Sequence, residues 1–271
     1  MIIIGGIIVV IFAFMAIFAP HLTSYSPTKM DVRSRFAPPS IKHLMGTDQY
    51  GRDTFSRVLY GARVSFEVGV LAVLIGIIGG VIIGALAGYL GGYIDEVLMR
   101  MMDALLSFPP LLLAIGLVAS IGPNLTNVAI TIGVVHIPRF ARLMRSSVLA
   151  EREKEYVEAA RSIGQSSIKI LLKHIGPNTI SPIVVLGTIV FALAVIIEAT
   201  LSFLGVGVPP PTPSWGGMLN ESRRYLEASL WMPLFPGLVL SIAVLGFNLL
   251  GDGLRDFLDP KTYVATKVIS E

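Results

Sequence analysis

The sequence predicts an all-helical protein that crosses a membrane several times. Hydrophobic residues make up 54% of its 271 positions and charged residues only 14%, against about 25% charged in soluble domains. Mean hydropathy is +0.75. The apolar residues gather in runs close to the roughly 20 that a helix needs to cross the hydrocarbon core. The basic residues cluster between those runs, and the net charge is only +3. That distribution argues for membrane topology and against nucleic acid.

Six spans are expected, at about Ile2 to Ala19, Val68 to Leu90, Leu98 to Ser120, Leu125 to Arg139, Ile180 to Leu204 and Leu234 to Leu250. The first begins directly after Met1 without a basic leader, which predicts an anchor rather than a cleaved signal. The second carries Gly76, Gly80, Gly84 and Gly88 four apart, a ridge of small residues that lets a neighbouring helix approach closely. Two neighbours are compatible with it, a helix of the same chain or one of a partner. The third contains Pro109-Pro110, which predicts a kink or a late start. The fourth is short and holds His136 and Pro138, and it can run on towards Val148.

Between the fourth and fifth spans lies YVEAARSIGQSSIKILLKHIGPN, residues 156–178. Its pattern predicts a helix from Glu151 to Ile163, with Glu151, Glu153 and Glu155 at the positive end of the dipole. Tyr156, Ala159, Ala160 and Ile163 form its apolar stripe. Gly164 suits the left-handed terminator. Ser166 is placed to cap a second helix, with the stripe Ile168, Leu171, Leu172 and Ile175, and Gly176-Pro177 ends it. The paired alanines offer a shallow surface, and Glu158 adds a negative handle beside it. Two readings compete: a socket for another protein, and an amphipathic pair lying on lipid headgroups.

Six spans put both termini on the side of this segment. That side holds twelve Lys and Arg against nine on the other, which predicts a cytoplasmic segment and cytoplasmic termini. The natural divisions are 1–63 (first helix plus outer loop), 64–257 (membrane domain, with the charged elbow at 151–178) and 258–271 (tail). The Pro209 to Trp231 loop has prolines at 209, 210, 211 and 213, which predicts a stiff, irregular surface element.

Within the membrane, Glu198 must be neutral, paired or facing water, because a mid-bilayer charge costs about 2.5–3.5 kcal/mol on insertion scales. A contact along a translocation path and a simple interhelical hydrogen bond both fit it. Arg100 and Asp103 are three apart on one helix face, which predicts a local ion pair, with a part in an inner gate as the alternative.

The order Glu158-Ala159-Ala160, Gly164, Pro177 resembles the EAA loop of ABC importer permeases. The His174, Pro177, Asn178 form is similar to the subfamily that handles peptides and nickel, whereas the general motif has an apolar residue where His174 stands. Further stretches resemble the second permease subunit of that subfamily. They are Gly46 to Asp53 with Ser56-Arg57 and Gly61-Ala62-Arg63, Glu198 to Gly205 with Ser214-Trp215-Gly216, and Gly251 to Asp256 with Asp259-Pro260.

The resemblance covers about residues 43 to 261. It implies a type I ABC importer permease fold in the cell's inner membrane, in which the 151–178 elbow couples to an ATPase through Tyr156, Glu158, Ala159, Ala160, Gly164, His174 and Pro177. It implies a homologous second permease, two ATPase subunits holding ATP and Mg, and an extracytoplasmic substrate-binding protein. Trp215, Arg223 and Arg224 are the candidates for meeting that binding protein. Di- or oligopeptides are the expected cargo, with nickel chelates and oligosaccharides as the alternatives.

The chain lacks cysteine, so thiolate chemistry is excluded. The four histidines are scattered without an HExxH spacing, so no zinc hydrolase is indicated. The dipeptide Gly-Lys never occurs, so there is no phosphate loop and the chain is not expected to hydrolyse ATP. A stand-alone secondary transporter would show several mid-span acids, and an assembly scaffold would need no translocation path. Copurification of ATPase subunits separates an importer permease from both.

Overall fold

Ten helices make up the computed structural model, which describes residues 1–258. They are α1 Ile2–Leu22, α2 Thr54–Leu90, α3 Gly92–Leu106, α4 Pro110–Ile121, α5 Leu125–Arg152, α6 Glu155–Ser162, α7 Ser167–Ile170, α8 Gly176–Phe203, α9 Trp215–Ser222 and α10 Trp231–Leu258. A single isolated bridge, Thr47 to Asp53, is the one β-type pairing among the described residues. The expected tail, with Asp259-Pro260, lies outside those residues.

Among the described residues four helices are long and apolar enough to cross a membrane: α1, α2, the continuous rod Ser167–Phe203 and α10. Counting the bent pair α3 and α4 as one span makes five. The third expected span is therefore not one helix. It breaks at Ser107-Phe108-Pro109 with a bend of 90°, because Pro109 and Pro110 supply no backbone donors to continue the ladder. The fourth expected span, Leu125 to Arg139, is only part of α5, which runs through to Arg152 with Asn124 capping its start. This helix is too polar to qualify by composition, yet 12 of its 28 residues are buried. It packs between α2 and α8, so few of its side chains need to suit lipid.

The glycine ridge of α2 sets the spacing to α5. A Cβ on Gly80 would lie 2.3 Å from Phe140 Cβ and 2.8 Å from the Ile137 carbonyl, and one on Gly84 would lie 2.3 Å from the Ala141 carbonyl. Gly76 meets the Phe140 ring, and Gly88 meets the Arg145 carbonyl and Val148. Where lipid replaces water, such close backbone packing substitutes for hydrophobic driving force.

At one end of α2, aromatic rings gather: Phe191 stacks on Phe247 at 4.0 Å, and Phe12 meets Phe247 edge-on at 5.7 Å. Trp215 closes this cluster, fully buried, with Nε1 donating to the Val58 carbonyl at 2.9 Å. The Pro209 to Trp231 loop is thus not irregular throughout. It contains α9, capped by Ser214, because Trp215 and Met218 find a core to enter.

Candidate functional site

Two polar assemblies sit at opposite ends of α2, which at 37 residues is about 55 Å long. The first is a buried charge clasp. Asp48 accepts from the Tyr50 and Arg52 amides at 2.8 and 2.9 Å and from Arg52 Nε at 2.5 Å. Glu221, at the end of α9, accepts from Arg52 at 2.6 Å and from Arg57 at 3.0 Å. Asp53 accepts from the Ser56 amide, capping α2, and pairs with His43 Nδ1 at 2.8 Å.

Sequence reading singled out the Gly46 to Arg63 stretch but missed this purpose. Asp48, Arg52, Asp53 and Arg57 turn inward and tie the loop before α2 to α9, while Arg63 stays exposed. The missed signal was Glu221, an acid placed opposite two arginines that are distant in sequence. Trp215 is also corrected here, since its complete burial removes it as a contact for another protein. Arg223 and Arg224 are exposed, and the Arg223 guanidinium lies 5.1 Å from the Phe203 ring centre.

The second assembly is the elbow formed by α6, α7 and the start of α8. The first helix is shorter than expected. Glu151 belongs to α5, Glu153 ends it, and only Glu155 and Glu158 fall in the first turn of α6. The inward residues of the elbow are Val157, Ala160, Ile170 and Ile175, which pack with Phe140, Met144 and Val148. The predicted stripes are therefore only partly inward. Ala160 faces the core and Ala159 the surface, while Tyr156 is exposed. Ile163, Ile168 and Leu172 are 74, 72 and 68% exposed.

The corner is a Schellman turn. Gly164 has φ +76°, its amide donates to the Arg161 carbonyl at 2.9 Å, and the Gln165 amide donates to Ala160 at 3.1 Å. Ser166 stands at the start of α7 but makes no side-chain cap. Gly176-Pro177 does not end the second helix either. Leu171–Ile175 form a π-helical turn in which the Gly176 amide reaches back to Leu171, and the helix continues. The wider turn accommodates Pro177, which has no amide hydrogen to give.

Side chains lock the corner. His174 Nε2 meets Gln165 Oε1 at 2.9 Å, with the imidazole as donor. Asn178 donates to the Tyr156 hydroxyl and to the His174 carbonyl, both at 3.0 Å. The Tyr156 hydroxyl donates to Glu151. Burial alone would raise the Glu151 carboxyl, but the hydrogen bonds from Lys154 and Tyr156 hold it below the usual range. The Tyr156 phenol is pushed up, by burial first and then by its bond to that carboxylate.

Between the two assemblies, Glu198 is completely enclosed and accepts from Ser202 at 2.9 Å and from Ser65 of α2 at 3.2 Å. Asp103 does not pair with Arg100. It accepts from Arg142 of α5 at 2.6 Å, because it is turned towards α5, while Arg100 lines an exposed groove with Tyr93, Glu96 and Met101. Among the described residues no group of acids and histidines could hold a metal ion.

Comparison with known proteins places this architecture. Residues 80–263 match the family model described as binding-protein-dependent transport system inner membrane component, and residues 1–39 match the N-terminal TM domain of oligopeptide transport permease C. The dipeptide transport system permease protein of Alkalihalophilus pseudofirmus is 46% identical over 259 residues, covering 96% of this chain and 85% of that one. The glutathione transport system permease protein of Salmonella typhimurium is 49% identical over 258 residues, covering 95% and 85%. In fold, the chain is similar to a chain of the inward-facing MetNI methionine ABC transporter, with a TM-score of 0.62, 18% identity and coverage of 76% and 98%. The chain belongs to the family of binding-protein-dependent transport system inner membrane components.

Proposed function

We propose that this chain forms one half of the membrane path of an ATP-driven peptide importer, alternating between inward and outward access. The relatives are named for peptide, dipeptide and glutathione transport, and glutathione is itself a small peptide. In this reading α5 and the bent pair each count as a crossing, giving six spans with both termini cytoplasmic. The elbow then faces the cytoplasm and the charge clasp faces outward. A homologous permease completes the path, two ATPase subunits bind ATP and Mg, and a binding protein delivers cargo near the exposed Arg223 and Arg224. Arg100, unpaired among the described residues, is a polar residue of α3 available to cargo or partner, while Glu198 holds α2 to α8. Alkaline phosphatase fused after Gly122 tests the orientation. The fusion should be active, and an inactive one reverses the sides.

One observation carries the docking role. The elbow turns Val157, Ala160, Ile170 and Ile175 inward yet leaves Ile163 and Ile168 exposed, together with Glu158 and Ala159. A rigid, pinned corner with apolar tips suits a protein cleft, where large side chains anchor in a pocket. Ile163→Asp and Ile168→Asp should leave the protein in the membrane, release the ATPase subunits on purification and abolish ATP-driven peptide uptake. Retained copurification and uptake would return the elbow to a headgroup-lying role.

A further inference from the structure

Helix α3 is built as a hinged rod. It begins at Gly92, after Gly91, both at positive φ (55° and 66°), with open space around Gly92. Such backbone pivots freely only where glycine stands. It ends at the Ser107-Phe108-Pro109 break, beyond which α4 departs at 90°. Of its 15 residues only Met102 is buried, so little packing fixes the rod in place.

What fixes it is charge, at both ends. Asp95 is held in a fork by Arg145, Nε to Oδ1 at 2.5 Å and Nη2 to Oδ2 at 2.6 Å. Asp103 is held by Arg142 at 2.6 Å. Both arginines lie on α5, one turn apart. Two residues beyond α5 the chain enters α6 and the elbow, and Arg152 of α5 also donates to the Gly88 carbonyl at 3.0 Å, just before the glycine hinge.

We propose that Arg145 and Arg142 are positioning residues that carry α3 with α5, so that displacement of the elbow reaches the α3–α4 bend through two ion pairs. This rests on the docking reading of the elbow. A packed helix interface would slide or lock. Two ion pairs between hinges instead make α3 follow α5 while its angle to α4 changes. The fork at Asp95 fixes direction as well as distance, and the single bond at Asp103 follows.

The test uses the assembled transporter in proteoliposomes, with spin labels on cysteines introduced into this cysteine-free chain. Between nucleotide-free and ATP-bound states the Tyr93→Cys to Leu112→Cys distance across the bend should shift. The Tyr93→Cys to Ser146→Cys distance, from α3 to α5, should stay constant. Arg145→Asp should broaden the latter distance and lower peptide taken up per ATP hydrolysed by about fivefold or more, the lower range of coupling between sites. Asp95→Arg with Arg145→Asp should restore both. A purely structural role would not move the uptake-to-hydrolysis ratio.

Four results overturn the latch: normal coupling by Arg145→Asp, no rescue in a charge-swapped protein that reaches the membrane, an α3–α5 distance that changes with nucleotide in the arginine-bearing protein, or a fixed α3–α4 angle. A parent transporter showing no ATP-driven uptake removes the docking reading itself, and the latch with it.

Discussion

Gln165 and His174 face each other across the Gly164 corner, amide oxygen to imidazole nitrogen at 2.9 Å. The contact links the corner to the π-helical turn Leu171–Ile175 of the membrane rod Ser167–Phe203, so the elbow is one solid piece with that rod. His174→Leu should loosen this piece without unfolding the protein. The cost is about 0.5–1.5 kcal/mol, the usual net worth of one hydrogen bond. Hydrogen exchange of the 160–170 amides should speed up severalfold, while exchange in α2 stays unchanged.

Gly164 tests backbone geometry separately from space. A Cβ there meets nothing within 4 Å, so an alanine suffers only from the positive φ, about 1–2 kcal/mol. Gly164→Ala should therefore weaken uptake modestly. Gly164→Pro cannot adopt φ +76° and loses the amide that donates to Arg161. It should abolish uptake at normal membrane abundance, and normal uptake by this variant would refute the docking role.

The glycine ridge predicts a graded series. Gly80→Leu must push apart Phe140 and the Ile137 backbone, so it should lower accumulation in the membrane and the thermal midpoint in detergent. Gly80→Ala should do the same more mildly. Gly116→Ala, in α4 with nothing within 4 Å, should be silent. Equal effects at positions 80 and 116 would show that the α2–α5 contact does not set stability.

At the clasp, Glu221→Gln leaves Arg52 and Arg57 with Asp48 as their one remaining shared carboxylate. Removing one partner of a buried pair typically costs 3–5 kcal/mol. About 3 is expected here, because Glu221 keeps some water contact. Differential scanning calorimetry should show a clear fall in Tm, against almost none for exposed Arg224→Ala.

Periodicity and apolar length located the helices well, because lipid demands uninterrupted backbone bonding and long apolar runs. Pro109-Pro110 announced a break, and Gly164 announced a corner. Less visible was which way each helix turned. The stripe Tyr156, Ala159, Ala160, Ile163 obeys helical spacing, but the tertiary core took Val157 and Ala160 instead. Spacing alone cannot distinguish a stripe meant for the same chain from one meant for another. Arg100 and Asp103 looked like neighbours by their spacing, yet Asp103 found Arg142, a partner 39 residues away. The clasp was hidden for the same reason. Its halves are 164 and 169 residues apart, so no local pattern could pair them.

The two ends of α2 also differ in how ions in solution reach them. Arg52 and Arg57 keep only 5 and 3% of their side-chain surface, whereas Arg142 and Asp103 keep 55 and 45%. Dissolved salt weakens exposed attractions within a Debye length of about 8 Å at physiological strength and barely touches enclosed ones. Raising ionic strength should therefore slacken the α3 end alone, giving the protein one rim that stays firm and another whose grip follows the electrolyte around it.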